Sequence, residues 1–312
     1  MKTLLVILGV VLVLLLLYIG ITVSLFRFAI LRKDSTDRRD KRSQRCSVFT
    51  RNRGKAGERT GHEFDSTPFK TLKMRSFDGA ELTALYLKAD KPRGTLILFH
   101  GFHSTPRWDF GAAFPYFSSL GFDLLFPIQR GHGKSGGRFI TYGIKERRDA
   151  VLWTELVNKM NGSKLPIYVG GISLGCTTAI MGAGVGYPEN VRGIIADCGF
   201  NSPYGIFTEV MKKSGLPPAP FVWFFGILCR HIAGFDIKEY SASEALRHTD
   251  VPIVFIHGEK DRLIPCKTTL ALYKAYKGEK HLLTVKNAPH AAAYSHGRKE
   301  YEAVLRLLFG QM

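Results

Sequence analysis

Cysteine is scarce in this sequence, and its few occurrences form no pattern. The 312 residues include five cysteines, which are scattered along the chain without a C-x-x-C pair. This odd number and irregular spacing argue against a disulfide framework and favour a reducing compartment. The ten histidines likewise lack H-E-x-x-H or other ligand spacing, so the sequence predicts no metal site.

Acidic residues are also few, since 26 Asp and Glu stand against 44 Lys and Arg and leave a net charge of +18. Much of the excess lies in residues 27–59, whose net charge is +8. Basic segments beside a membrane are attracted to anionic lipids by about 1 kcal/mol per residue. Nucleic-acid binding is the alternative, but no aromatic platform or nucleic-acid-binding motif accompanies the charge, so we expect no such partner.

Charge is absent from residues 3–26. At about 1.5 Å per residue, this apolar run exceeds the roughly 30 Å hydrocarbon thickness of a bilayer and predicts a transmembrane helix. A cleaved signal peptide is the competing interpretation, but its apolar core would be about 7–15 residues long and would end at small residues. The basic residues that follow predict, by the positive-inside rule, a single-pass protein with its C-terminal domain in the cytoplasm.

The pattern of apolar segments divides the chain into a membrane anchor (1–33), a basic linker (34–63) and one folded domain (64–312). Eight strands are predicted near residues 71–75, 81–88, 95–99, 123–127, 167–171, 191–197, 251–256 and 281–285. The first two resemble an antiparallel hairpin, and the others alternate with helix-length segments, the last of which is 294–309. This alternation predicts an α/β fold with a mostly parallel, doubly wound, eight-stranded sheet.

The most informative motif is Gly171-Ile172-Ser173-Leu174-Gly175, which follows a predicted strand and precedes a helix of small residues. A serine on a tight strand-to-helix turn needs neighbours without side chains two positions away on each side. Gly171 and Gly175 meet this need. In this context the motif is typical of a nucleophile elbow, with Ser173 as the nucleophile.

A serine nucleophile on such an elbow requires an acid and a base in the chain order Ser, Asp or Glu, His. Asp261 follows the strand predicted at 251–256, which places it at the catalytic edge of a parallel sheet. Glu259 is the alternative acid. His290 follows the last strand and is the predicted base, whereas His296, the alternative, falls inside the closing helix.

Backbone donors for an oxyanion are predicted from two loops. The strand at 95–99 ends in His100-Gly101-Phe102, and the N–H of Phe102, together with that of Leu174, is expected to form an oxyanion hole. Other polar candidates near these loops are expected to have structural roles: Cys176, His100, His103 and His132.

Taken together, these motifs resemble those of α/β-hydrolases, in the branch that includes monoacylglycerol-lipase-like and serine-aminopeptidase-like proteins. Within that branch the chain is most similar to small bacterial hydrolases with an N-terminal membrane anchor. The similar positions are 100–102, 130–137, Ser173, 257–261 and His290. The resemblance covers residues 75–308 and implies a serine hydrolase without a cofactor. Ala291 stands where such proteins often carry glycine, and the HGGG loop of lipases is absent.

Residues 199–249 are far too many for an ordinary connection and predict a helical cap over the active site. The segment 216–225 is rich in proline and aromatic residues. We therefore expect a lid that either lines an acyl-binding pocket, with Phe221, Trp223 and Phe224 as the pocket residues, or dips toward the bilayer. The alternative is that these aromatic residues pack the cap onto the sheet.

The sequence thus predicts a membrane-anchored serine hydrolase that cleaves an ester or thioester with a hydrophobic acyl group, on a small molecule or a lipid. Two alternatives stay open, and so does the oligomeric state. One is a non-catalytic membrane scaffold with the same fold. The other is an aminopeptidase, which would need an anionic group in the cap, and its candidates are Glu209, Asp236, Glu239 and Glu244.

Overall fold

The computed structural model describes residues 1–32 and 61–310. Residues 33–60, which contain most of the predicted linker at 34–63, lie outside the described residues, as do residues 311–312. A long helix, α1 (Lys2–Ile30), precedes an α/β domain.

The domain is built on one sheet, whose strands are β1 (Lys70–Arg75), β2 (Glu81–Leu87), β3 (Thr95–Phe99), β4 (Asp123–Ile128), β5 (Ile167–Ile172), β6 (Val191–Asp197), β7 (Ile253–Gly258) and β8 (Lys280–Val285). The helices are α2 (His62–Ser66), α3 (Pro106–Phe110), α4 (Phe114–Ser119), α5 (Glu146–Met160), α6 (Leu174–Val185), α7 (Pro203–Lys213), α8 (Pro218–Leu228), α9 (Ala242–Ala245), α10 (Lys267–Ala275), α11 (Ala293–His296) and α12 (Arg298–Phe309). A π-helical turn, Cys229–Ala233, continues α8.

The strand order is β1-β2-β4-β3-β5-β6-β7-β8. β2 pairs antiparallel with both β1 and β4, and the other neighbours are parallel. The prediction of a mostly parallel, eight-stranded sheet that begins with a hairpin is confirmed. The strand order reverses at β3 and β5, and the crevice beyond the carboxyl ends of such strands is where open α/β sheets bind their ligands.

Both faces of the central sheet are covered, which explains why its strands are apolar without interruption. In β3, Leu96 and Leu98 contribute to the core on one face, whereas Ile97 and Phe99 contribute to the core on the other. This alternation follows from the two-residue period of a strand. The first core is closed by helices α3, α4 and α12, and the second by α5, α6, α9 and α10.

The predicted insertion at 199–249 forms a helical cap and then rejoins the body of the domain. α7 and α8 contribute Phe207, Met211, Phe221 and Phe225 to a third apolar cluster. α9, by contrast, packs against α6 and belongs to the sheet's second core. The cap therefore consists of α7, α8 and the π-helical turn.

The closing helix predicted at 294–309 is two helices, because the chain breaks at Gly297 between α11 and α12. A Cβ at Gly297 would lie 2.9 Å from Val285 Cγ1. The close approach of the chain to β8 at this point explains the glycine.

α1 is the one helix in the described part of the chain that is long and apolar enough to cross a membrane, a property it shares with signal sequences. Its residues up to Leu17 are exposed, whereas Thr22, Phe26 and Ile30 are buried against the domain. Arg32, just beyond α1, donates from its guanidinium to the carbonyls of Gly133 and Ser135, each at 2.6 Å. The C-terminal part of α1 is thus built into the α/β domain.

A buried ion pair holds the loop after β4. The Arg130 guanidinium donates to the Asp149 carboxylate at 2.6 Å, and it also reaches Asp78 at 2.8 Å. Burial would lower the pKa of Arg130, but its hydrogen bonds to the two carboxylates outweigh burial and raise that pKa. Through Asp78, Arg130 and Asp149, these ion pairs join the turn after β1, the loop after β4 and helix α5.

We predict that Arg130→Met lowers the free energy of unfolding by about 3–5 kcal/mol, because it leaves the buried Asp149 carboxylate without its countercharge. Lys73→Met is the matched control, since it breaks an exposed pair with Glu81 and is expected to change stability by less than about 1 kcal/mol. Denaturant unfolding of the full-length protein in detergent measures both. Equal effects of the two substitutions would contradict the importance of the buried pair.

Candidate active site

Ser173 lies on the turn between β5 and α6, at the carboxyl edge of the sheet. Its backbone has φ 57° and ψ −113°, a strained conformation for a residue with a side chain. The Ser173 N–H donates to the carbonyl of Asp197 at 2.9 Å, and its own carbonyl accepts from Thr177 at 3.1 Å. Hydrogen bonds from neighbouring backbone groups thus hold the turn and offset the cost of its strained conformation.

Gly171 and Gly175 permit this turn because the backbone packs too closely for side chains. A Cβ at Gly175 would lie 1.9 Å from the carbonyl oxygen of Phe99 in β3, and one at Gly171 would lie 2.2 Å from the carbonyl carbon of Gly175. Even alanine at either position would require the backbone to move.

The structure brings Ser173, His290 and Asp261 into one hydrogen-bonded chain. The Ser173 Oγ lies 2.9 Å from His290 Nε2, and His290 Nδ1 lies 2.6 Å from Asp261 Oδ2. Since the carboxylate can only accept, Nδ1 carries the proton and Nε2 is left to accept from the serine hydroxyl. The turn after β5 and the loops after β7 and β8 supply the three residues.

The alternative acid and base lie elsewhere. Glu259 is exposed and accepts a hydrogen bond from Thr284 at 3.2 Å. His296 is also exposed, and its Nδ1 lies 3.0 Å from the carbonyl of Ala292. Neither side chain is part of the chain that contains Ser173.

Asp261 is buried but kept ionised by its hydrogen bonds. Its Oδ1 accepts from the N–H groups of Leu263 and Ile264, at 2.8 and 2.9 Å. Burial would raise the pKa of Asp261, but hydrogen bonds from His257 and His290 outweigh burial and hold that pKa well below its ordinary value. The carboxylate is therefore ready to orient His290.

His257, a buried residue at the end of β7, contacts Asp261 in a way that the sequence did not reveal. Its Nε2 lies 3.1 Å from Asp261 Oδ2 and 2.9 Å from the carbonyl of Ile264. Both partners are acceptors, so Nε2 carries the proton, and Nδ1 accepts from the Thr269 hydroxyl at 2.7 Å. The signal in the sequence is a polar residue that directly follows a fully apolar strand.

Phe102 and Leu174, the predicted oxyanion donors, flank the serine. Leu174 is the first residue of α6, so its N–H has no acceptor within the helix. Phe102 follows β3 and lines the same cavity as Ser173. Asp109 accepts from the N–H of Gly101 at 2.5 Å and so orients this loop. Their use as an oxyanion hole stays a prediction.

The other candidate groups have structural contacts. His100 is buried, and its ring accepts from the N–H of Gln129 at 3.1 Å, while burial lowers its pKa. The ring of His132 accepts from the N–H of His103 at 3.1 Å. Cys176 is a core residue of α6, and burial raises the pKa of its thiol. These contacts agree with the expectation that such groups hold loops or fill the core.

Ser173 and His290 border a cavity of about 570 Å³ between the sheet edge and the cap. Most of its wall is apolar and comes from the cap and from α1, including Phe207, Met211, Val222, Phe225, Leu25 and Phe28. The polar residues on its border include Lys213, Ser214 and Arg262. Lys213 Nζ donates to the carbonyls of Arg262 and Leu263, which joins α7 to the loop that carries Asp261.

Of the three aromatic residues predicted to line the pocket, only Phe221 does so. The prediction for Trp223 and Phe224 is wrong, because successive helical residues point about 100° apart and Phe221, Val222 and Phe225 form the inner side of α8. Trp223 is 67% exposed. The ring of Phe224 faces Tyr18 of α1 at 5.7 Å instead.

The acidic side chains of the insertion do not border the cavity. Glu209 pairs with Lys212 at 3.6 Å, Asp236 with Arg230 at 2.5 Å and Glu239 with Arg147 at 2.7 Å. Glu244 lies in α9, which packs on α6. None of the four is positioned to bind an amine next to Ser173.

Asp197, at the end of β6, is a buried carboxyl directly behind the site. Its Oδ2 accepts from the Tyr301 hydroxyl at 3.2 Å. Burial raises the pKa of Asp197 to about 6, although the nearby His257 partly opposes the shift.

Among the described residues, one group could offer ligand atoms to a metal ion: atoms of Cys198, Asp261 and His290 lie within 4.8 Å of one another. The Asp261 and His290 atoms, however, are hydrogen-bonded to each other.

Two family models match parts of the chain. The serine aminopeptidase family S33 matches residues 90–212, and the serine hydrolase family FSH1 matches residues 189–291. The uncharacterized protein YqkD of Bacillus subtilis is 28% identical over 201 residues, which is 63% of this chain and 65% of that protein. The uncharacterized protein YfhR of Escherichia coli K12 is 25% identical, with 72% and 75% covered.

Solved structures share the fold. The Pyrococcus furiosus esterase Pf2001 superposes with a TM-score of 0.63 at 20% identity, covering 79% of this chain and 91% of that one. Est1E of Butyrivibrio proteoclasticus, solved with ferulic acid, gives a TM-score of 0.57 at 18% identity, with 76% and 97% covered. The chain therefore has the architecture of these two proteins.

We predict that His257→Leu lowers kcat roughly 10- to 100-fold and leaves KM nearly unchanged. A hydrogen bond to a charged group contributes about 1.5–3 kcal/mol, and His257 does not border the cavity. His257→Gln, which keeps an N–H donor, should restore part of the rate. Hydrolysis of nitrophenyl acetate measures this effect, and an unchanged kcat in His257→Leu would contradict the positioning role.

We predict that Asp197→Asn becomes progressively more stable than the wild type as the pH rises from about 4 to 6. In this range the folded wild type keeps the proton of Asp197, while the unfolded chain, with a pKa near 3.8, loses it. Between acid pH and pH 7, the stability of the variant relative to the wild type should rise by roughly 3 kcal/mol. Denaturant unfolding at several pH values measures the free energy of unfolding of both proteins. The exposed Asp90→Asn is the control. If the free energy of unfolding depends on pH in the same way for Asp197→Asn and the wild type, the prediction is wrong.

Proposed function

Because the chain has the α/β-hydrolase fold and resembles serine hydrolases in both matched family models, we propose that it is a membrane-anchored serine hydrolase of carboxylic esters or thioesters. The observation that carries this proposal is the hydrogen-bonded chain from Ser173 through His290 to Asp261 at the wall of an apolar cavity. No cofactor takes part in the proposed reaction.

In the first half of the reaction, Ser173 Oγ attacks the carbonyl carbon of the substrate while His290 Nε2 takes the hydroxyl proton. The negative charge moves to the carbonyl oxygen, which the N–H groups of Phe102 and Leu174 stabilise. The tetrahedral intermediate then expels the alcohol or thiol, which receives the proton from His290. Asp261 stabilises the imidazolium throughout this half-reaction.

In the second half, a water molecule attacks the acyl-serine and His290 takes one of its protons. The same backbone donors stabilise the second oxyanion. When this intermediate collapses, the acid leaves and Ser173 regains the proton from His290. One water is consumed, and one acid and one alcohol or thiol are released.

The cavity favours a hydrophobic acyl group over a peptide with a free amine. Phe207, Val222 and Phe225 offer apolar surface to the substrate. An aminopeptidase would need an anion beside the site that is available to an amine. The cap's acidic residues lie away from the cavity, and the oxygens of Asp109, which does border it, accept from the Gly101 N–H and the Ser104 hydroxyl. The cations Lys213 and Arg262 also border the cavity. These charges would repel a substrate ammonium, so we place ester and thioester hydrolysis ahead of the aminopeptidase alternative.

An uncleaved α1 fits the packing better than a signal sequence. Cleavage after the apolar run would remove Phe26 from the third apolar cluster and Leu25 from the cavity wall. We therefore propose that α1 stays in the membrane as a single span. The net charge of +8 on residues 27–59 supports a cytoplasmic catalytic domain.

We predict that a fluorophosphonate probe labels the full-length, detergent-solubilised protein, and that Ser173→Ala and His290→Ala abolish the labelling. Esterase activity should fall by roughly 10⁴-fold or more in both variants, as it does when members of such triads are removed. Full-length protein is needed because residues of α1 line the cavity.

His296→Ala is the matched control, since this exposed histidine lies only six residues from His290 and should not affect labelling. A well-folded wild type that neither reacts with the probe nor hydrolyses any acyl ester would instead favour the non-catalytic scaffold. Labelling that persists in Ser173→Ala would refute the assigned nucleophile.

A further inference from the structure

The last turns of α1 are part of the wall of the catalytic cavity. Leu25, Phe28 and Ala29 border the same space as Ser173 and His290. The ring of Phe28 lies 6.5 Å from that of Phe102, the predicted oxyanion residue. An acyl group attached to Ser173 would therefore meet the anchor helix itself.

The contact between α1 and the cap fixes this wall in place. The Tyr18 hydroxyl donates to the carbonyl of Pro220 at 2.7 Å, and its ring packs edge-to-face on Phe221 at 5.1 Å. Farther along the helix, Phe26 packs edge-to-face on Phe225 at 6.0 Å. These contacts hold one side of α1 against α8.

Another side of α1 carries a shallow groove that leads toward the cavity. The groove is lined by Val13, Leu16, Leu17, Gly20, Ile21, Ser24 and Leu25. Their spacing of three and four residues places them on one helix face, which rises about 18 Å along the axis. Phe28 continues this face, and Leu25 lines both the groove and the cavity.

We propose that this α1 groove is the access route by which the acyl chain of a bilayer-resident lipid ester reaches Ser173. The proposal rests on the proposed function, that is, on ester hydrolysis by a membrane-anchored enzyme. The groove lies on the part of α1 that would cross the bilayer, and its apolar side chains match an acyl chain. At the inner end, Leu25 and Phe28 pass the chain from the groove to the cavity wall.

Gly20 offers a direct test because its lack of a side chain deepens the middle of the groove. A Cβ at Gly20 would meet no heavy atom within 4 Å, so Gly20→Phe adds its ring to the groove from an unobstructed position. Gly9 is equally unobstructed but lies outward from Val13, beyond the groove. Gly9→Phe is therefore a control with the same chemical change on the same helix.

The experiment uses full-length protein in phosphatidylcholine vesicles and two esters. Nitrophenyl butyrate reaches the enzyme from water, whereas nitrophenyl palmitate is incorporated in the vesicles. We expect Gly20→Phe to lower the ratio of palmitate to butyrate hydrolysis, measured as kcat/KM, at least tenfold. Gly9→Phe should keep the wild-type ratio.

The outcomes separate the access route from the function. A wild-type ratio in Gly20→Phe, or an equal loss of both activities, would overturn the route while the hydrolase stands. A change in oligomer size without a change in ratio would assign the groove to another transmembrane helix and would overturn the route as well. If the wild type hydrolyses neither ester and does not react with fluorophosphonate, the proposed function itself fails.

Discussion

The close packing of α6 onto β3 is the constraint on which the rest of the site depends. There is no room for a side chain at Gly171 or Gly175, and this allows the helix to begin directly against the strand backbone. The turn between them forces Ser173 into a strained conformation that points its hydroxyl out of the sheet edge. The hydrogen-bonded chain through His290 to Asp261 begins at this hydroxyl, so it depends on the turn. The strain is stabilised by the backbone of β6, whose Asp197 carbonyl accepts from the serine N–H.

Hydrogen bonds fix the position of Asp261, the carboxylate at the other end of the chain that begins at Ser173. Asp261 accepts from two backbone N–H groups and from His257 as well as His290. A carboxylate with this many donors stays ionised in spite of its burial and can hold the imidazole in one tautomer. His257 in turn depends on Thr269 of α10, so the orientation of the base is coupled to a helix on the second face of the sheet.

Much of this arrangement could be predicted from the sequence, because the buried strands are uninterrupted apolar runs and because the order Ser, Asp, His follows the order of the strands. The aromatic residues of α8 show where such reasoning ends. Whether Phe221 or Trp223 faces the cavity depends on how the helix is rotated, and that rotation is set by packing against α1. Similarly, Thr22 and Phe26 lie in an apolar run that suits lipid as well as a protein interior. Hydropathy cannot distinguish these two environments.

The guanidinium of Arg32 has a further consequence for how the protein would search for substrate. It ties the end of α1 to the carbonyls of Gly133 and Ser135, just before the predicted linker at 34–63 begins. An enzyme joined to its membrane anchor only by a flexible linker can sample a hemisphere whose radius is the length of that linker. Here the end of α1 already contacts the domain, so the length of the segment at 34–63 does not increase the distance that the domain can move from the membrane. The proposed enzyme would hold a constant height and tilt above the lipid surface, and its search for substrate would be confined to two dimensions.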